Sequence, residues 1–364
     1  MSTFMKHVVL TEPGRLEVSQ VEYPAEPGFG QVLVRIVAAG ICGTDMHAFR
    51  GKQPFFSYPR VLGHELGVEV AAVGPGVSRV KPGDRCAVEP YLNCGHCIAC
   101  RRGKSNCCVK LSVMGVHVDG GFGEYLQLPA EKLHVSSQLT FEQLALVETL
   151  GIGAHAVNRA GTIGGEWALV IGSGPIGLGV MQFAKAAGAR VIAMDMNPAR
   201  LDFCRGQIGV EAVVPAGEKA AAELADITGG DMPTAVFDAT GHAGSMMGAF
   251  NLTASGGTLV FVGLFRGDVT FSDPEFHRRE LTLLASRNST AADFSRIIDL
   301  VERGLVDTRP WVTHRASLWE LPGKMPEWID PSAGVIKAVV SVSTDGGSRP
   351  AGEFARIEKL NPTD

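Results

Sequence analysis

The chain has 364 residues, of which 45% are hydrophobic and 20% charged, and its formal net charge is −5. This length predicts about two domains with full hydrophobic cores. The acidic balance argues against a nucleic-acid partner, which would require a basic surplus. The apolar run after Lys6 is too short for a secretory signal, so we expect a cytoplasmic protein. Because cytoplasmic thiols stay reduced, clustered cysteines predict metal ligands rather than disulfides.

Three stretches of the N-terminal half carry side chains that bind metals, and they read GICGTDMH, LGHELG and ALVETLGIGAHAV. Cys42 and His64 supply a thiolate and an imidazole, while Glu65 and Glu148 supply carboxylates. A catalytic zinc needs about three protein ligands of mixed type and one position left for substrate. The spacing alone does not establish a metal site, because a histidine beside a glutamate is usually an ordinary polar pair.

The loop CGHCIACRRGKSNCC contains a second candidate metal site. Cys94, Cys97 and Cys100 recur at every third position and Cys108 follows, so four thiolates can converge on one tetrahedral zinc from a single loop. Cys107 is the alternative to Cys108 for the fourth position. A site closed by four cysteines has no position open to substrate, so the sequence predicts a structural zinc that folds a lobe.

The uncharged window at residues 167–184 has the length of a short membrane span, but Pro175 and several glycines would interrupt a helix in lipid. A buried strand (WALVIG), a turn (GSGPIG) and a helix fit this window better, and RVIAMD follows as a second buried strand. AVFDAT and GGTLVFVGL repeat the pattern. The window therefore predicts β-α-β units in a parallel sheet and no membrane span.

The turn GSGPIG has the spacing G-x-G-x-x-G at Gly172, Gly174 and Gly177. The first glycine allows a tight turn, the second allows close approach of a pyrophosphate, and the third allows the helix to pack on the strand. Asp195 ends the next strand, where a carboxylate accepts hydrogen bonds from the ribose hydroxyls and repels a 2′-phosphate. These residues predict NAD as the cofactor, with NADP as the alternative because Arg200 is close by.

Together, GICGTDMH, GHE, CGHCIAC with Cys108, and VIGSGPIG with Asp195 resemble the zinc-containing medium-chain dehydrogenase/reductase family of alcohol and polyol dehydrogenases. The likeness runs in the family order from about residue 5 to residue 342. It implies an α/β fold: a Rossmann doubly wound parallel sheet plus a chaperonin-10-like, β-rich catalytic domain.

The resemblance also implies the domain limits. Residues 1–150 and 288–342 would form the catalytic domain, with the structural zinc lobe at about 90–110. Residues 151–287 would form the Rossmann domain. The tail at 343–364 exceeds the usual end of the family, and its Gly, Ser and Pro content predicts a flexible extension.

Carried onto this sequence, the resemblance makes Cys42 and His64 the first two ligands of the catalytic zinc. Many simple alcohol dehydrogenases of the family have cysteine at the third position, where this chain has Glu148. That departure resembles the sorbitol and threonine dehydrogenase branch, in which Glu65 can also approach the metal, so the choice between the two glutamates is left open. Asp45 matches a position expected to orient His64.

Thr44 and His47 match the family's proton relay from the substrate oxygen to solvent. Zinc would lower the pKa of a bound alcohol, Thr44 would pass the proton towards His47, and hydride would move to the nicotinamide. The positions that the glycine turn and the resemblance together assign to the cofactor are Gly172, Gly174, Pro175, Ile176, Gly177, Asp195, Arg200, Thr240, Val262, Gly263 and Leu264.

The substrate that this branch implies is a secondary alcohol of a polyol or sugar acid, L-galactonate among them. Arg287 is the candidate for an arginine near the zinc-site glutamate. L-Threonine or a simple alcohol is the alternative within the family, and a non-catalytic NAD-binding protein is the distant alternative. Since the family is commonly dimeric or tetrameric, we expect a homodimer or homotetramer.

Overall fold

The computed structural model describes residues 4–53 and 56–342, so the predicted extension at 343–364 lies outside the described residues. The chain divides into two compact units. Among the described residues, the first contains residues 4–53 and 56–97, then Cys108–Glu148, then residues 312–342. The second contains Ile98–Cys107 and Thr149–Trp311.

Strands predominate before residue 141, and strands and α-helices alternate from there to residue 302. The strands are β1 (Phe4–Glu12), β2 (Arg15–Glu22), β3 (Gln31–Ile41), β4 (Arg60–Val61), β5 (Glu65–Val73), β6 (Arg85–Val88), β7 (Tyr91–Leu92), β8 (Ser112–Val113), β9 (Tyr125–Pro129), β10 (Leu133–Val135), β11 (Trp167–Ile171), β12 (Arg190–Asp195), β13 (Ala212–Pro215), β14 (Ala235–Asp238), β15 (Thr258–Phe261), β16 (Thr282–Ala285), β17 (Val312–Ser317) and β18 (Lys337–Ser341). The α-helices are α1 (Gly43–Phe49), α2 (Ile98–Arg101), α3 (Phe141–Ala160), α4 (Pro175–Ala186), α5 (Pro198–Phe203), α6 (Ala220–Thr228), α7 (Ala243–Gly248), α8 (Asp273–Arg278), α9 (Ala291–Glu302) and α10 (Leu321–Trp328).

The first unit is built from β-sheets. Its larger sheet has the order β10-β6-β5-β3-β18-β17, and β9 also pairs with β3. A smaller sheet has the order β2-β1-β4, and β7 and β8 form a separate ribbon. Most positions of β3 are buried, as expected for a central strand whose two faces are both covered.

The core of the first unit combines side chains from both sheets with the C-terminal helix α10. Leu10, Ile36, Leu66 and Phe122 are fully buried, and Trp328 of α10 packs into the same cluster. Burying a side chain of this size contributes about 1.5–3 kcal/mol. The strands that carry the candidate metal ligands are therefore fixed by a continuous apolar core.

The second unit contains one parallel sheet with the order β13-β12-β11-β14-β15-β16. Reading outward from β11, this is the strand order of a doubly wound dinucleotide-binding fold. β11, β12 and β14 are almost continuously buried, because helices cover both faces of such a sheet. The fold class predicted from the sequence is confirmed.

The two units differ from the predicted domain limits at two places. The second unit extends to Trp311, beyond the predicted return at residue 288, because Phe294 and Ile297 of α9 are fully buried. Part of the cysteine loop also belongs to the second unit, where the side chain of Asn106 donates a hydrogen bond to the backbone oxygen of Arg287 at 2.8 Å.

The helices of the structure test whether the uncharged window could span a membrane. Across residues 4–53 and 56–342, none of them has both the length and the apolar character needed to cross a bilayer. Residues 167–184 instead hold strand β11, a turn and most of α4.

Candidate functional site

The structure brings Cys42, His64 and Glu65 together. One ligand atom from each lies within 4.8 Å of the others. This follows from strand pairing: β3 and β5 are antiparallel, with Gly40 opposite Glu65. Cys42 immediately follows the end of β3 and His64 immediately precedes β5, so the pairing register sets a thiol and an imidazole side by side.

The carboxylate of Glu65 occupies the space above Gly40. A Cβ atom on Gly40 would lie 2.0 Å from Oε2 of Glu65, so no other residue fits opposite this glutamate without moving it. Lys337 at the start of β18 donates a hydrogen bond to Oε1 of Glu65 at 2.5 Å. Sequence reasoning missed Lys337, although a lysine inside the apolar run VIKAVVSV was a signal for a buried ion pair.

Glu148 is also buried but is held differently. Its Oε1 atom accepts a hydrogen bond from the hydroxyl of Tyr91 at 2.5 Å. Among the residues that the structure describes, Glu148 is outside the group formed by Cys42, His64 and Glu65. Sequence reasoning gave no role to Tyr91.

Burial and neighbouring charges alter the proton affinities at this cluster. Burial alone would lower the pKa of His64, but Cys42 and Asp45 outweigh it and hold that pKa well above its usual value. Burial raises the pKa of Glu148, and His64 partly opposes the rise. In Lys337, burial opposes the charge, but Glu65 more than compensates and the pKa is raised. The protonation state of each group in this buried cluster therefore depends on the charges of its neighbours.

Helix α1 presents the other predicted residues of this region. Its third residue, Asp45, is fully buried and accepts a hydrogen bond from the backbone N–H of Cys42 at 2.9 Å. Asp45 Oδ1 lies 3.8 Å from Nδ1 of His64, which is an ion-pair distance but too long for a hydrogen bond. Thr44 is half-buried and His47 is exposed.

The donor set at this cluster suits zinc. A thiolate, an imidazole and a carboxylate are the ligand types of catalytic zinc sites, and only three of them leave a position for substrate. His64 and Glu65 are buried, with exposed fractions of 4% and 1%, so the metal would be held away from bulk water. Cys42, His64 and Glu65 would hold it.

The four cysteines Cys94, Cys97, Cys100 and Cys108 form a second group whose sulfur atoms lie within 4.8 Å of one another. Cys108 is buried, and its sulfur accepts hydrogen bonds from the backbone N–H groups of Cys94 and Lys110, both at 3.3 Å. Backbone N–H groups that follow Cys94 lower its pKa, which favours the thiolate. This donor set fits a structural zinc.

Cys107 differs from its neighbour Cys108. Its side chain is exposed, and it is not a member of the four-cysteine group among the described residues. The structure therefore favours Cys108 over Cys107 for the fourth position.

The glycine turn connects β11 to α4 in the second unit. A Cβ atom on Gly177 would lie 1.8 Å from the backbone oxygen of Gly172, so only glycine allows this helix to start so close to the strand. Gly174 is the N-cap, Pro175 begins the helix and Ile176 follows it. A Cβ atom on Gly174 would meet nothing within 4 Å, so the space beside the start of this helix is open.

Asp195 at the end of β12 is fixed by backbone contacts. Its carboxylate accepts hydrogen bonds from the N–H of Ser173 at 2.6 Å and of Asn197 at 2.8 Å. Each oxygen keeps further acceptor capacity for a ribose hydroxyl. Arg200 lies near this carboxylate, and burial lowers its pKa while Asp195 opposes the shift.

A cavity of about 700 Å³ lies at the carboxyl ends of the parallel strands. Of the predicted cofactor residues, it is lined by Gly172, Asp195 and Thr240. His242 and Asn251 also line it, and the sequence analysis missed both. In doubly wound folds, ligands bind at this edge of the sheet.

The predicted residues beyond β15 lie in its following loop. The backbone N–H groups of Val262 and Gly263 both donate to the backbone oxygen of Asp238, at 2.9 Å. Leu264 is 88% exposed. Thr240 donates from its hydroxyl to the buried carboxylate of Asp238 at 2.6 Å. Asp238 therefore anchors both loops that border the cavity.

His155 belongs to a polar network within the second unit. Its Nδ1 atom lies 2.9 Å from Oδ2 of Asp293, and its Nε2 atom lies 3.1 Å from the amide of Asn106. Asn158 donates to Oδ1 of Asp293 at 2.7 Å. Arg287 contributes its backbone oxygen to Asn106, as described above, and its side chain is exposed.

Comparison with known proteins identifies the family of this chain. Residues 28–138 match the family described as alcohol dehydrogenase GroES-like domain, and residues 175–303 match zinc-binding dehydrogenase. L-Galactonate-5-dehydrogenase of Escherichia coli (strain K12) is 42% identical over 94% of this chain and 100% of its own length. 2-Dehydro-3-deoxy-L-galactonate 5-dehydrogenase of Pseudoalteromonas atlantica is 31% identical over 88% of this chain and 94% of its own length.

A solved dehydrogenase structure is similar to this chain over most of its length. The short chain alcohol dehydrogenase RspB of Escherichia coli CFT073, complexed with NADH, superposes with a TM-score of 0.87 and 29% identity, covering 93% of this chain and 100% of the other. The resemblance drawn from the motifs is confirmed. The chain belongs to the zinc-containing medium-chain dehydrogenase family, and it is an oxidoreductase that uses zinc and NAD to oxidise a secondary alcohol.

Proposed function

We propose that the substrate is a sugar acid of the L-galactonate type, oxidised at a secondary hydroxyl. The observation that carries this proposal is the 42% identity to L-galactonate-5-dehydrogenase over the whole length of that relative. The relative from P. atlantica is also named for the 5-position of a galactonate derivative. The identity to L-galactonate-5-dehydrogenase supports a polyhydroxy acid over L-threonine or a simple alcohol.

The site residues divide the chemistry among them. Cys42, His64 and Glu65 would hold zinc, with Glu148 as the alternative carboxylate. When bound, zinc acts as a Lewis acid that favours loss of the proton from an alcohol near neutral pH. Thr44 accepts that proton at its hydroxyl oxygen and passes it towards His47, which is exposed and can release it to solvent.

The cofactor site supports NAD over NADP. Asp195 is held by two backbone N–H groups, so its carboxylate is fixed where it would accept hydrogen bonds from ribose hydroxyls and repel a 2′-phosphate. The turn at Gly172–Gly177 would bind the pyrophosphate, and Thr240, Val262, Gly263 and Leu264 would contact the ribose and nicotinamide.

The test is reduction of NAD measured against L-galactonate, further aldonates, polyols, L-threonine and simple alcohols, with NADP as the comparison cofactor. We expect the highest kcat/KM for L-galactonate or a close aldonate with NAD. A higher kcat/KM for L-threonine or a simple alcohol would refute the substrate proposal, and equal use of NADP would refute the role of Asp195.

We also propose a cytoplasmic location and a homodimeric or homotetrameric state. The cysteine cluster supports the location, because four reduced thiolates persist where disulfides do not form. Sedimentation velocity of the purified protein tests the oligomeric state.

A further inference from the structure

The proposed mechanism gives no function to the hydrogen bond between Tyr91 and Glu148. Both side chains are buried, with exposed fractions of 3% and 5%. The hydroxyl of Tyr91 donates to Oε1 of Glu148 at 2.5 Å. A buried carboxylate needs partners for its charge, and this phenol provides one to a single, identified oxygen.

Strand pairing and hydrogen bonds of neighbouring residues hold Tyr91 in place. It pairs with Val113 in the ribbon formed by β7 and β8. Two residues before it, Glu89 accepts a hydrogen bond from Lys132 at 2.9 Å, and two residues after it, Asn93 accepts another from the same ammonium group, also at 2.9 Å. These mostly buried contacts hold the backbone on both sides of Tyr91.

The same ribbon closes the base of the cysteine loop. β7 ends two residues before Cys94, and β8 begins shortly after Cys108. The ribbon that carries Tyr91 therefore lies directly beside the cysteine loop along the chain.

We propose that Tyr91 is a positioning residue for Glu148, the alternative carboxylate: its hydroxyl holds Oε1 and leaves Oε2 as the oxygen that this glutamate can offer, in place of Glu65, to a metal at Cys42 and His64. The inference rests on the proposed function, because it assumes a metal held at Cys42 and His64. A carboxylate without such a partner can rotate and offer either oxygen or both. Hydrogen bonds to ligating carboxylates fix them, and their loss costs metal affinity.

Replacing Tyr91 by phenylalanine removes one hydroxyl and keeps the buried ring. Cobalt(II) exchanged into the full-length protein can occupy both metal groups, so the difference between its visible ligand-field spectrum and that of Cys42→Ser reports the coordination of the mixed site. Chelator competition, compared with Cys42→Ser in the same way, reports the zinc affinity of that site. In Tyr91→Phe we expect an altered cobalt spectrum and about 10- to 100-fold weaker zinc binding. Tyr125→Phe is the matched control, because the Tyr125 ring packs against Tyr23 elsewhere in the unit, and it should change neither.

Two variants of Glu148 show whether Tyr91 acts through it. Glu148→Asp keeps the charge but draws the carboxylate away from Tyr91, so it should alter the cobalt spectrum as Tyr91→Phe does, even if Tyr91→Phe folds poorly. Once Glu148→Gln is present, adding Tyr91→Phe should cause no further change in spectrum or affinity.

Three results would overturn the proposal: an unchanged spectrum in Tyr91→Phe, equal effects of Tyr91→Phe with and without Glu148→Gln, or a wild-type spectrum in Glu148→Gln. A failure of the proposed function gives a different pattern. In that case Cys42→Ser would leave both the cobalt spectrum and the metal content unchanged, and Tyr91 would have no metal ligand to position.

Discussion

The two candidate metal sites of this chain are assembled in opposite ways. The cysteine cluster takes all its ligands from one loop, between Cys94 and Cys108, and local spacing is enough to bring them together. The mixed cluster takes Cys42 from the end of one strand and His64 from the start of another, and only the pairing register brings them together. We therefore expect the cysteine loop to require bound metal for its ordered structure. The mixed cluster should keep its geometry without metal, because the paired strands already hold its ligands in place.

The largest expected effect is on activity, from Cys42→Ser. Loss of the thiolate removes a ligand from the mixed cluster, and the Lewis acid supplies several kcal/mol of transition-state stabilisation. We expect kcat/KM to fall on the order of 10³-fold or more, since each factor of ten corresponds to about 1.4 kcal/mol. The melting temperature should change little, because β3 and β5 are held by their own pairing and by the core.

Steady-state kinetics and calorimetry on the same preparation check this pair of results. Metal analysis provides the control, since the variant should retain the zinc of the cysteine cluster. A large fall in melting temperature together with the loss of activity would contradict the difference drawn between the two sites.

The next effect is on stability, from Cys97→Ser. Removing one of four thiolates should release the metal of the cysteine cluster and disorder the loop. Loss of a metal is among the causes of the larger single-mutation effects, and a loss of about 3 kcal/mol would lower the melting temperature by about 6–12 °C in a domain of this size. Cys107→Ser is the matched control, because Cys107 is exposed and lies outside the cluster. Identical unfolding curves for wild type and Cys97→Ser would show that the loop needs no metal.

The difference between the two metal sites also explains which features could be predicted from the sequence. The four cysteines and the glycine turn are local patterns, and their spacing carries the geometry. Gly40, Tyr91 and Lys337 are far apart in the chain and have no spacing in common, so their contacts with Glu65 and Glu148 follow only from strand register and packing. The family resemblance predicts metal ligands in the mixed cluster, but it predicts neither the ion pair of Lys337 with Glu65 nor the hydrogen bond of Tyr91 with Glu148.

The smallest expected effect is a loss of stability in Asp293→Asn. Asp293 belongs to the polar contacts that attach the cysteine loop. Within the second unit, Asn106 of this loop contacts His155, and Asp293 fixes His155. Burial would raise the pKa of Asp293, but the hydrogen bonds from His155 and Thr290 outweigh it and hold the pKa below its usual value. Asp293→Asn should therefore cost about 1–3 kcal/mol of unfolding free energy at pH 7.

The pH dependence of this cost identifies its origin. A depressed pKa in the folded state stabilises the protein above the unfolded value of 3.8 and loses that contribution as pH falls through the folded value. The difference in stability between wild type and Asp293→Asn should thus be constant above about pH 5 and shrink below about pH 4. Asp299→Asn on the same helix is the control, because its ion pair with Arg303 is exposed and worth little. A difference that stays constant down to pH 2 would mean that packing, and not the charge of Asp293, attaches His155 and the cysteine loop.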